Sequence, residues 1–206
     1  MIKDICMDLL YPRRCALCDA VVPFGGGLIC GKHKALPYVT GPMCMKCGKE
    51  VDTEEQELCY DCERHVRNFD RGFPVFNYEE PVKASVLAIK YHNKREYCDF
   101  YGREIAEKVR PYVGRYRMDG IADKVSKLLG LPVLDDILIR KEYTSPQKSL
   151  DNIQRANNIK ESMTIGRLYP GHSNILLIDD IYTTGVTIDV CAGLLRKAGA
   201  QHVYYS

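Results

Sequence analysis

Runs of apolar residues and their spacing divide the chain into recognisable elements. Ile175 to Ile178 is an unbroken apolar run, the pattern of a strand buried on both faces. After a polar turn, Val186, Val190, Leu194 and Ala198 recur at helical spacing, and Gly199 closes that helix. His202 to Tyr205 predicts a further short strand. Upstream, Phe73, Val75, Phe76 and Tyr78 predict a strand. Pro81 stands where a helix begins, with Val82, Val86, Leu87 and Ile89 on its apolar side and Lys90 at its close. Tyr97, Phe100, Tyr101, Ile105, Val109 and Val113 predict a helix from Tyr97 to Val113, with its aromatics in the core. Met118 to Ile121 starts a strand that runs straight into a helical half, Ala122 to Leu129, ended by Gly130. Val133 to Ile139 predicts one more strand.

Three stretches lack such periodicity. Met1 to Leu10 is broken by Asp4 and Asp8, which predicts a short amphipathic helix and no secretion signal. The polar stretch from Glu63 to Gly72 predicts a linker. Arg140 to Lys160 carries five basic and two acidic residues, and a loop of that length is functional or mobile.

A chain of 206 residues suits one medium domain plus a small one. The boundary falls near residue 66, giving a module over 1–66 and a domain over 67–206. The net charge of +2 gives no global attraction to nucleic acid or membrane. No apolar run has bilayer length, so no membrane insertion is expected. A cytoplasmic location follows, where thiols stay reduced and cysteines point to metal.

Seven of the ten cysteines lie between Cys15 and Cys62, in two repeats. Cys15-x-x-Cys18 is followed after eleven residues by Cys30-x-x-His33, and Cys44-x-x-Cys47 by Cys59-x-x-Cys62. A two-residue spacer lets two thiolates grip one ion from a tight knuckle, and two knuckles make tetrahedral zinc. Spacing leaves open whether the knuckles pair in order or interleave, and whether His33 is a ligand or a surface residue. Two structural zinc ions are predicted, because four protein ligands leave no open position for substrate. Cys6, Cys98 and Cys191 read as buried thiols.

The chemistry concentrates between Ile175 and Thr187. Asp179 and Asp180 end the predicted strand, and Tyr182, Thr183, Thr184, Gly185, Val186 and Thr187 make the turn into the helix. A helix N-terminus offers unpartnered N–H groups and a favourable dipole to an anion. Gly185 allows close backbone approach, the threonines add hydroxyl donors, and paired carboxylates suit the vicinal hydroxyls of a ribose. An ordinary capped strand-to-helix turn would need only one of these groups.

The stretch resembles the phosphoribosyl pyrophosphate (PRPP) loop of the type I phosphoribosyltransferases. Together with the N-terminal knuckles, the Ile89-Lys90-Tyr91 turn with Lys94 behind it, and Arg140-x3-Thr144-x2-Gln147-x2-Leu150-x4-Arg155-x2-Asn158, it resembles the ComF family of ComFC-like competence proteins. The resemblance implies an α/β, Rossmann-like phosphoribosyltransferase domain with a parallel sheet, preceded by a small zinc-binding module. It implies ribose hydroxyls on Asp179 and Asp180, the 5-phosphate on the Thr183–Thr187 turn, Lys90 and Arg140 on the pyrophosphate side, and Mg2+ with the PRPP. Gln147, Arg155 and Asn158 would belong to a mobile loop. It further implies a role in natural transformation, with single-stranded DNA and a ComFA-like DNA translocase as partners. Lys90, Lys94 and Arg95 are the candidate nucleic-acid contacts, with Tyr91 as a stacking group.

The family's Pro-Val-Pro turn and Arg-Gly-Phe-Asn-Gln segment are absent after Met118, which removes the expected pyrophosphate loop. Two rival readings stand beside a PRPP enzyme of unassigned acceptor. One is a non-catalytic DNA-binding and docking module using this fold as a platform; the other is a nucleotide-salvage phosphoribosyltransferase.

Overall fold

A computed structural model of the chain describes residues 12–33, 35–111, 121–130, 137–140, 162–166 and 174–206. Strand β5 (His202–Tyr205) lies in the middle of a three-stranded parallel sheet, between β1 (Arg71–Gly72) and β4 (Asn174–Leu177). Gly72 and Leu177 both sit opposite Tyr205. Parallel neighbours require crossover connections. Helix α5 (Val186–Lys197) lies between β4 and β5 in sequence. Helices α2 (Val82–His92), α3 (Cys98–Val109) and α4 (Ile121–Leu129) lie between β1 and β4.

Side chains alternate across a strand, and both faces of this sheet are covered. Leu176 packs with Phe73, Ile105, Val109 and Val125 on one face, with Tyr204 beside them. Val203 and Tyr205 pack with Ile188, Ala192 and Leu195 of α5 on the other, joined by Ile175 and Leu177. The architecture is therefore α/β, as the order of the periodic segments indicates. A separate antiparallel pair joins β2 (Leu138–Arg140) to β3 (Met163–Ile165). A short helix, α1 (Tyr60–Arg64), follows Cys59. No helix among the described residues is long and apolar enough to cross a membrane.

Most expected elements are present, with shifted ends. β5 has the predicted bounds, β4 starts one residue early, and α5 is followed by Gly199 at φ 108°. Helix α2 runs two residues past Lys90 to His92. Asn93 then ends it in the left-handed conformation, φ 54°, which asparagine tolerates. The helix expected from Tyr97 begins as a 3-10 turn, Arg95–Tyr97, before α3. The strand expected at 73–78 sits earlier, because Pro74 has no N–H to continue a ladder. Phe76 instead bridges Tyr38. Ile121 opens α4 and does not end a strand.

Tyr97, Phe100, Tyr101 and Cys191 are buried as expected, whereas Cys98 is only half-buried. Residues 1–11, Val113, Met118 to Gly120, 131–136 and 141–161 lie outside the described residues. The predicted N-terminal helix, Cys6, Thr144, Gln147, Leu150, Arg155 and Asn158 fall among them.

The stretch from Glu63 to Gly72 is not a free linker. Phe69 is 0% exposed in the α5–β5 core. The Asn68 amide donates to Asp189 Oδ1 at 2.5 Å. Asp70 accepts from Arg196 Nη2 and from the Val203 amide, each at 2.6 Å. These residues strap α1 to α5 and β5. Two apolar residues, Val66 and Phe69, among charges give no periodicity to read.

Candidate functional site

The four ligand atoms of Cys15, Cys18, Cys30 and His33 lie within 4.8 Å of one another, and so do those of Cys44, Cys47, Cys59 and Cys62. The knuckles therefore pair in chain order. Backbone amides aim at the sulfurs, as thiolates require: Cys30 N to Cys15 Sγ at 3.3 Å, and Cys47 N to Cys44 Sγ at 3.5 Å. Left-handed Gly48, φ 71°, turns the second knuckle back on itself. His33 Nε2 is buried with no hydrogen-bond partner, an atom left over for a metal. The donor sets, three sulfurs with one imidazole and four sulfurs, fit structural zinc.

Each cluster docks on a different part of the α/β unit. Cys15, Ala16 and Leu17 pack against Val82 and Val86 of α2 and against Tyr97, Phe100 and Tyr101. The Ser85 hydroxyl donates to the Ala16 carbonyl. Cys44, Cys47, Cys59 and Cys62 sit in the core of α5 and β5. Tyr205 Oη donates to the Cys47 carbonyl at 2.6 Å, and the Gly72 amide donates to the Lys46 carbonyl at 2.9 Å.

A cavity of about 480 Å³ opens beyond the C-terminal ends of the sheet strands, where open α/β sheets bind ligands. Asp179, Asp180, Lys90 and Tyr182 border it, with Phe76 and Tyr101 forming part of its apolar wall. The Asp179 amide donates to the Ser206 carbonyl at 3.2 Å, which carries the β4 hydrogen bonding one residue further. Asp180 N donates to Asp179 Oδ1 at 3.0 Å. Burial, and then the adjacent Asp180 charge, push the Asp179 carboxyl up to about 6. Lys90 Nζ meets Asp180 Oδ2 at 2.7 Å, and that hydrogen bond holds the Lys90 ammonium above its ordinary value. Both partners are substantially exposed, so the pair adds little stability. It places a cation beside two carboxylates at the cavity mouth.

The turn after Asp180 enters α5 through Gly185, the N-cap, at φ 72°. A Cβ there would collide with the Tyr182 ring, so glycine is required on two counts. The Asp189 amide donates to the Gly185 carbonyl at 2.9 Å. The helical amides before it have no partner within the helix. Thr183, Thr184 and Thr187 are exposed around them.

The remaining predicted contacts separate. Lys94 Nζ pairs with Asp19 at 2.9 Å and Glu96 at 3.7 Å, facing the first cysteine cluster. Arg95 opens the 3-10 turn and is exposed. Arg140 ends β2, exposed, and is not among the residues lining the cavity. The sequence reading did not single out the aromatic cavity wall, Asp19 or the strap residues Arg67 and Asn68. Phe76 and Tyr101 read only as core positions of predicted elements, and the others show no more than a charged or polar side chain in an irregular stretch.

Residues 6–63 match the double zinc ribbon domain family. Competence protein F of Haemophilus influenzae is 24% identical over 203 residues, covering 86% of this chain and 87% of that protein. Competence protein ComFC of Streptococcus pneumoniae is 28% identical over 179 residues, covering 79% and 76%. DNA utilization protein YhgH of Escherichia coli K12 is 23% identical over 219 residues, covering 95% and 96%. Relatives named for competence and DNA utilization, together with the double zinc ribbon, support the resemblance to the ComF family. These relatives are matched across most of their length, so the similarity extends beyond the ribbons into the α/β unit.

Proposed function

We propose that this chain is a phosphoribosyltransferase-like competence protein that binds PRPP and supports the uptake and handling of single-stranded DNA in natural transformation. In this reading a zinc ribbon module, 1–66, docks on a phosphoribosyltransferase-like domain, 67–206, in the cytoplasm beside a ComFA-like translocase. The observation that carries the reading is the Asp179–Asp180 pair at the cavity mouth, leading directly into the open N-terminus of α5. Asp179 and Asp180 would accept hydrogen bonds from the ribose hydroxyls. The 183–187 amides and threonine hydroxyls would hold the 5-phosphate. Lys90 would exchange Asp180 for pyrophosphate oxygens. Mg2+ supplies charge neutralisation for the pyrophosphate when bound, through phosphate oxygens and water. Orientation of the ribose and electrostatic support at its C1 would carry any transfer.

Calorimetric titration with PRPP and Mg2+, beside an Asp179→Asn/Asp180→Asn variant, tests this reading. Saturable binding lost in the variant supports it; no binding to the zinc-loaded protein refutes it. The Asp179 carboxyl adds a pH signature. Only its ionised form accepts both ribose hydrogen bonds, so affinity should fall as pH drops through about 6, and Asp179→Asn should flatten that profile. Without ligand the sign reverses. The folded state holds the proton more tightly than the unfolded state, so stability falls as pH rises from the ordinary carboxylate value of 3.8 to about 6. Melting curves across that window for wild type and Asp179→Asn check it.

The names of the relatives, competence and DNA utilization, favour a DNA role whether or not transfer occurs. Arg95 and the 70% exposed Tyr91 offer a cation and a stacking face for a single strand. Steep weakening of oligonucleotide binding with salt, reduced by Arg95→Glu, would support that contact.

A further inference from the structure

Residues 67–70 join two features that the sequence keeps far apart. Arg67 Nη2 donates to the Thr184 carbonyl at 3.0 Å, inside the turn that leads into α5. The same guanidinium lies close to the Cys62 sulfur and to Asp189. A second path runs alongside. Tyr205 Oη holds the Cys47 carbonyl at 2.6 Å. The Tyr205 ring stacks on Tyr182 at 4.9 Å with 8° between planes, and the Tyr182 ring fills the space that a Cβ at 185 would need. A carbonyl and a side chain of the turn are thus each one residue away from a ligand of the second cysteine cluster.

Arg67 is a costly way to fasten a strap. It is half-buried, and its Nε is buried without a hydrogen-bond partner. Phe69, Asn68 and Asp70 already anchor the segment. What arginine adds is a planar fork that reaches the Thr184 carbonyl with the Cys62 sulfur close by. Such a carbonyl contact leaves the loop amides free to face outward.

We propose that Arg67 is a positioning residue that holds the Tyr182–Gly185 turn in its anion-receiving shape against the four-cysteine cluster, coupling metal at that cluster to phosphate-ester binding at the turn. The inference rests on the reading of the turn as the ribose-phosphate site. Coupling is reciprocal: metal at the cluster tightens PRPP binding, and bound PRPP tightens the hold on that metal by the same factor.

The test uses the full-length, zinc-loaded protein, with Arg67→Ala and Arg67→Lys as variants. Hydrogen exchange of amides 183–187, zinc content and PRPP–Mg2+ affinity are measured together. Expected are two zinc ions retained, exchange in the turn at least about tenfold faster, and PRPP affinity down about tenfold for Arg67→Ala, within the usual range of coupling. Arg67→Lys, a single point charge, should fall between. In wild type, PRPP–Mg2+ should protect the four-cysteine cluster against zinc chelation, and in Arg67→Ala that protection should shrink.

Unchanged exchange and affinity in a zinc-loaded Arg67→Ala would overturn the inference. If that variant loses zinc or unfolds, the exchange rate of Arg67→Lys decides. If wild type binds no PRPP, the function proposed above fails, and the exchange data alone decide whether Arg67 holds the turn.

Discussion

Two cysteine clusters with identical spacing sit in different surroundings. The first, Cys15, Cys18, Cys30 and His33, has one buried and one exposed cysteine. It lies against α2 and the aromatic residues that follow it, tied at the surface by Lys94 and Tyr97 to Asp19. The second has all four cysteines buried within the α5–β5 core. One spacing thus serves as a peripheral clip in one place and as part of the central hydrophobic core in the other. Ligand spacing specifies that a metal binds; the packing around it decides what the rest of the molecule loses when the metal goes.

Breaking one ligand in each cluster gives the largest contrast. Cys44→Ser should release one zinc ion and unfold the α5–β5 core with it, since structural zinc contributes on the order of 10 kcal/mol. Cys18→Ser should also release one ion yet leave the α/β unit folded at a lower Tm. Zinc per chain and thermal melts distinguish them, and equal damage from both would erase the contrast.

Smaller changes sharpen it. Tyr205→Phe leaves the Cys47 carbonyl unsatisfied in the core and should cost about 1–3 kcal/mol, a drop in Tm of several degrees. Ser85→Ala makes the equivalent change under the first cluster, at the Ala16 carbonyl. It too should cost about 1–3 kcal/mol, because hydroxyl and carbonyl are both buried there. Lys94→Ala removes an exposed pair with Asp19 and should cost only about 0.2–1 kcal/mol, screened by salt. A Lys94 effect matching that of Tyr205 in urea titrations would show the first cluster to be no more peripheral than the second.

What could be read from the sequence follows from where periodicity and motif survive. Ile175 to Ile178 and Val186 to Ala198 carry uninterrupted patterns, so β4 and α5 lie within a residue or two of expectation. Repeated spacing pointed to both sets of ligands, and the Asp-Asp motif gave two residues bordering the cavity. Pairing order needed three dimensions, because in-order and interleaved knuckles share one spacing. The strap at 67–70 was illegible because its partners, Thr184, Asp189 and Arg196, lie more than a hundred residues away. Lys90 and Lys94 look like one basic cluster in sequence, yet one meets Asp180 and the other Asp19. A helix end and a left-handed Asn93 separate them.

The order of the sheet bears on how the molecule assembles. Its middle strand, β5, is the latest in sequence of the described strands, and β1, the earliest, has its sheet partner only there. Contacts of such sequence separation close slowly. During synthesis the cysteine knuckles emerge first and can load metal locally, while the carbonyl of Cys47 waits for Tyr205, 158 positions on. The nascent ribbon therefore carries an uncovered apolar face until translation delivers its lid, a window in which chaperones or aggregation compete.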